Sequence, residues 1–91
     1  MRNFPKAEDS MKQATQVEPN ASQSWYNLAI VQAFQGHAAD AAESVKKAFA
    51  ANAVERVAEP GMIDLRQNAR TNAFFNAIRQ TPEFRAAVGT N

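Results

Sequence analysis

Two helix-forming stretches on either side of a glycine place the strongest constraint on this chain. Between Ser22 and Asn52, the residues Trp25, Leu28, Ala29, Gly36, Ala41, Val45 and Ala48 set large and small apolar side chains at helical spacing around the break at Gly36. The pattern also begins upstream, because Ala7, Met11, Ala14 and Pro19 lie 34 residues before Ala41, Val45, Ala48 and Ala53. A period of this length marks stacked helical hairpins, in which each unit buries its face only against its neighbours. About one and a half such units are present, so the expected product is an all-α fold of antiparallel hairpins.

Composition agrees with that reading. Ala, Gln and Asn are abundant and only 3 Gly and 4 Pro occur in 91 residues, which favours helix throughout. A chain of 91 residues makes a single domain with a thin stability margin and no room for a large catalytic cleft. The formal net charge is +1, with five basic and five acidic residues over 1–52 and five Arg against four acids over 53–91, so no general affinity for polyanions follows. Without cysteine there is neither a disulfide framework nor a thiolate metal site. The start, Met1 to Lys6, lacks the apolar run of a signal peptide. The longest apolar stretch, Leu28 to Phe34, is interrupted by Gln32 and too short to span a bilayer. A soluble chain is expected, compatible with cytoplasm or periplasm and with origin as a piece of a longer exported protein.

Local signals divide the single domain 1–91 into the second helix of a partial repeat (4–19), a full repeat (22–53) and C-terminal capping helices (54–91). The first helix is expected from about Pro5 to Val17, with Pro in the first turn, acids Glu8 and Asp9 near its positive end and Ala7, Met11 and Ala14 on one face. Asn20 or Ser22 is the expected cap of a second helix over about Gln23 to Gln35, ended by Gly36 in the left-handed turn. A third helix is expected from Ala38 to Ala51, with Asn52 as its stop. Past Ala53 the register breaks, since Glu59 would stand in the place of Trp25 and Pro60-Gly61 would interrupt the helix. Short helices are therefore expected within Gly61 to Gln67, from Asn72 to Gln80, and after the start signal Thr81-Pro82-Glu83.

Residues 4–53 resemble the tetratricopeptide repeat family. Trp25 and Leu28 match its large first-helix positions, Ala29, Ala41 and Ala48 its small packing sites, and Val45 a hydrophobic position that is usually aromatic. Gln32 stands where Tyr is common, which is expected to weaken local packing, and Ala53 where Pro is common. The stretch 70–88, from Arg70-Thr71-Asn72 through Thr81-Pro82-Glu83-Phe84, is similar to the segment that closes many bacterial repeat arrays. There Phe75, Ile78, Phe84 and Val88 would cover the edge of the last hairpin. The resemblance implies a right-handed superhelix whose first helices line an inner, ligand-bearing face.

That face carries Gln23, Tyr26, Asn27, Ile30, Ala33 and Phe34, the candidate partner-binding residues, unless the C-terminal helices fold over them as core. Asn27 occupies the position used by carboxylate-clamp relatives, but Gln23 stands where a Lys would, so a clamp for a chaperone tail is not expected. Arg66, Arg70, Arg79 and Arg85 concentrate basic charge, read as a solvated face or a docking surface. His37, the one histidine, has no motif partner for metal binding or catalysis, and Glu55, Glu59 and Asp64 read as solvated acids. The expectation is a scaffold that binds a protein partner or oligomerises, with no catalytic residues, cofactor, metal or small-molecule substrate. The alternative is a structural subunit docking acidic protein or, less expectedly, nucleic acid through its arginines. As part of a repeat array, the chain would be continued upstream or have its open edges packed against another chain.

Overall fold

The computed structural model describes residues 3–89; of the regions above, 1–2 and 90–91 lie outside the described residues. Five α-helices are present: α1 (Phe4–Val17), α2 (Ser22–Phe34), α3 (Ala38–Ala58), α4 (Leu65–Thr71) and α5 (Pro82–Val88). A 3₁₀ turn, Ala73–Phe75, lies between α4 and α5, and no strand occurs among the described residues.

The first three helices form consecutive antiparallel neighbours. The start of α1 meets the end of α2 where the rings of Phe4 and Phe34 stand 5.5 Å apart. The end of α2 meets the start of α3 through the Ser44 hydroxyl, which donates to Gln32 Oε1 at 2.6 Å. Gly36, at φ 77, turns the chain between them, a left-handed conformation that an L side chain would resist. Small residues occupy the α2–α3 crossing: Ala29, Ala41 and Ala48 have no exposed surface, which lets the two backbones approach closely.

Two expected boundaries are corrected. Asn52 does not stop α3, which runs six residues further, to Ala58. Asn52 is instead buried in mid-helix, accepting from the Leu65 amide and donating to the Ile63 carbonyl, both at 3.0 Å, so that it holds the segment leading into α4. Ala53 to Ala58 contains neither Gly nor Pro, and Pro60-Gly61 supplies the break. Nor does a helix span Asn72 to Gln80. The Asn72 side chain accepts from the Phe74 amide and starts a single 3₁₀ turn, after which the chain proceeds in turns to Thr81. The short helix placed within Gly61 to Gln67 begins later, at Leu65, because Asp64 accepts from the amides of Arg66 and Gln67 and caps it. The α5 start is as expected, with Thr81 accepting from the Phe84 amide.

One core joins these elements. Tyr26, Ala29, Ala33, Val45 and Phe49 from the first half cluster with Leu65, Phe75, Ile78, Phe84 and Val88 from the second. Phe75 and Phe84 are fully buried with ring centroids 5.0 Å apart, and each contributes about 1.5–3 kcal/mol through its apolar surface.

Helix α1 joins differently. Ala7, Met11 and Ala14 are only half-buried, and its buried residues are Glu8 and Thr15. Glu8 accepts from Gln35 Nε2 at 2.6 Å and Gln32 Nε2 at 3.3 Å, and pairs with Lys12 at 3.2 Å. Gln32 therefore does more than weaken packing: buried at the α1–α2–α3 junction, it links Ser44 to Glu8. Burial pushes the Glu8 carboxyl up, yet the bonds from Gln35, Gln32 and Lys12 together hold it below the ordinary range.

Candidate functional site

The six candidate residues of α2 separate into two groups. Tyr26 and Ala33 are core: the Tyr26 ring meets Phe75 edge-on at 5.5 Å, and its hydroxyl donates to Asn68 Oδ1 at 2.6 Å. Burial raises the Tyr26 pKa, opposed by Asn72 and by the charge of Arg79. This line of α2 is thus covered, because the 3₁₀ turn lays Phe75 across it. A groove open at Tyr26 and Ala33 is not present.

Gln23, Asn27, Ile30 and Phe34 lie at intervals of four, three and four residues, a separate stripe that the C-terminal segment leaves open. Gln23 is exposed, Asn27 and Ile30 are half-buried, and Phe34 is 41% exposed. Gln23 Nε2 donates to Asn27 Oδ1 at 2.8 Å, so the two positions compared with a carboxylate clamp bond to each other. At its Phe34 end the stripe widens into a row of three rings: Phe34 stands 5.5 Å from Phe4 on one side and 5.5 Å from Phe74 on the other. Phe74 is 51% exposed. Phe4 and Phe74 are the members that sequence reasoning missed. The adjacent pair Phe74-Phe75 divides between surface and core, Phe74 being half-exposed and Phe75 fully buried.

Three of the four arginines are more engaged than a solvated face would be. Arg79 donates to the carbonyls of Ala69, Arg70 and Asn72, closing the C-terminal end of α4 with a guanidinium. Arg70 donates through Nε and Nη2 to the Val88 carbonyl at 3.3 and 3.2 Å, doing the same for α5. Arg66 lies over the Phe49 ring at 5.1 Å, and Arg85 is exposed.

The acids expected to be solvated divide likewise. Glu55 reaches from α3 to the start of α2, accepting from the Ser22 amide at 3.0 Å and from the Ser22 hydroxyl. It replaces the side-chain cap that Asn20 or Ser22 was expected to supply, since the residue at the cap position is Ala21. The Ser22 hydroxyl and amide bonds hold the Glu55 carboxyl below its ordinary value against a smaller opposing effect of burial. Asp64 pairs with Arg56 at 3.2 Å while capping α4, and Glu59 is exposed. His37 Nδ1 lies 3.9 Å from Glu8 at the polar junction.

No group of side chains suited to hold a metal ion occurs among the described residues, and no helix there is long and apolar enough to cross a membrane. No family model, curated protein or solved structure matches this chain.

Proposed function

We propose that this chain is a non-catalytic protein-interaction module of tetratricopeptide-like type, with α1 as the second helix of a partial repeat, α2–α3 as a full repeat and α4–α5 as its cap. The partner segment lies along Gln23, Asn27, Ile30 and Phe34, with its apolar side chains on the aromatic row. The observation that carries this reading is the contact of two half-exposed rings, Phe34 and Phe74, at the open end of that stripe. Aromatic rings of this kind supply large contact area at low entropic cost, and the amides of Gln23 and Asn27 give a polar edge.

The test is crosslinked recovery of partners from the native source with the wild type and with Phe34→Ser/Phe74→Ser. Both substituted side chains are half-exposed, so the variant is expected to stay folded, as circular dichroism would check. Loss of the wild-type set in the folded variant is the expected result. Recovery of the same set by both proteins removes the stripe as the binding face.

A second reading has its own observation. Among the described residues no carboxylate lies within 4.0 Å of Arg66, Arg70, Arg79 or Arg85, which favours a structural subunit that meets an acidic surface or nucleic acid there.

A further inference from the structure

At the C-terminal end of α5 a cleft of about 320 Å³ opens between Arg70, Arg79 and Arg85, backed by Phe84 and Val88 and bounded by Gly89. We propose that this cleft receives a carboxylate side chain, together with a neighbouring apolar side chain, from an extended acidic segment of a partner protein. The proposal rests on the second reading above and names its site and ligand.

Three features converge on a negative occupant of this size. The first is uncompensated charge: among the described residues, every hydrogen bond from Arg70 and Arg79 ends on a neutral oxygen, namely the carbonyls of Val88, Ala69, Arg70 and Asn72 and the side-chain amides of Gln67 and Asn76. The second is preorganisation. Those bonds fix two guanidiniums at the rim before any ligand arrives, so little side-chain freedom is left to lose on binding. Arg85, which is exposed beside them, presents a planar guanidinium whose paired N–H donors match a carboxylate. The third is the backbone at Gly89, whose φ of 81 favours glycine and where an added Cβ would stand 3.4 Å from Arg70 Nη2. Glycine thus leaves this edge of the cleft without a side chain.

The same features favour peptide over nucleic acid. A nucleic-acid surface needs basic groups spaced along several phosphates, whereas here the charge gathers at one cleft on a chain of net charge +1. Single strands would also seek exposed rings for stacking, and Phe84 is fully buried. Val88, which keeps a little exposed apolar surface behind the arginines, instead suits an aliphatic side chain beside the acid.

Fluorescence anisotropy would test this with three labelled probes: a peptide of alternating Glu and Leu, the same peptide with Gln for Glu, and oligothymidylate. Each is titrated with wild type, with Arg85→Gln and with Phe34→Ser. Arg85 holds no helix end, so its replacement leaves the fold intact. The Glu peptide should bind, the Gln peptide about tenfold or more weakly, and Arg85→Gln should weaken the Glu peptide severalfold, as expected for loss of one charge pair at the rim. Phe34→Ser should change nothing, which separates this site from the aromatic row. Equal binding of the Glu and Gln peptides, or no effect of Arg85→Gln, overturns the proposal. Tighter binding of oligothymidylate overturns it while sustaining the second reading in its nucleic-acid form, and absence of binding by all three probes sinks both.

Discussion

Replacing Glu55 by Ala removes the acceptor that closes the first turn of α2, an effect large enough to measure in a domain of this size. The wild-type carboxylate satisfies the Ser22 amide and the Ser22 hydroxyl at once, and Ala21 at the cap position offers no substitute. Loss of a helix cap costs about 0.5–2 kcal/mol, and charge-assisted bonds fall toward the upper part of that range. For about 1–2 kcal/mol, the thermal midpoint of a domain of this length drops by roughly 4–16 °C. Because the folded-state pKa of Glu55 lies below its ordinary value of 4.5, the carboxylate's contribution is full above that value. It is lost as pH falls through the depressed folded-state value. Circular dichroism melts of wild type and Glu55→Ala at about pH 7 and about pH 3 should therefore show a wide gap at the first pH and a narrower one at the second. Glu8 titrates in both proteins and drops out of the difference. Glu55→Gln, which keeps one acceptor oxygen, should melt between the two. Coincident melts at neutral pH, or a gap that does not change with pH, would refute the cap.

Gln32→Leu should destabilise by about 1–3 kcal/mol in urea unfolding, because Ser44 loses its acceptor and buried Glu8 one of its donors; a gain in stability would show the polar junction to be dispensable. Tyr26→Phe should cost about 0.5–1.5 kcal/mol through the lost bond to Asn68, and Tyr26→Ala about 3–5 kcal/mol through the cavity beside Phe75. Near-neutral behaviour of Tyr26→Ala in the same unfolding measurement would mean that the cap does not cover α2.

What the sequence made legible was local. Pro5 in a first turn, Gly36 between two periodic runs and Thr81-Pro82 are short-range signals, and the structure begins or ends helices at or beside each of them. What was not legible depended on distant partners. Asn52 has the side chain of a helix stop, but residues 63 and 65 engage it, and nothing near it in the chain announces them. The spacing of Tyr26, Ile30 and Ala33 shows a shared face without saying what lies against it. Phe75, brought over by a 3₁₀ turn in place of the expected helix, decided that Tyr26 would be core and Phe34 surface. Burial of Glu8 in place of Met11 was hidden for the same reason, since its donors come from another helix. Sequence spacing also left open whether the arginines were solvated, because their acceptors are backbone carbonyls of other segments.

The continuation of α3 to Ala58 changes how such a molecule can come apart. In a linear array each unit touches only its neighbours, and the ends fray independently. Here one unbroken helix carries Ala41 and Val45 at the hairpin and Asn52 and Glu55 at its far end, while Phe75 bears directly on α2. No seam separates the α2–α3 hairpin from the C-terminal segment, so lifting that segment uncovers Tyr26 and with it the centre of the only core cluster among the described residues. Opening at the C-terminal end therefore approaches the cost of global unfolding, whereas α1, which adds no residue to that cluster, can part at lower cost.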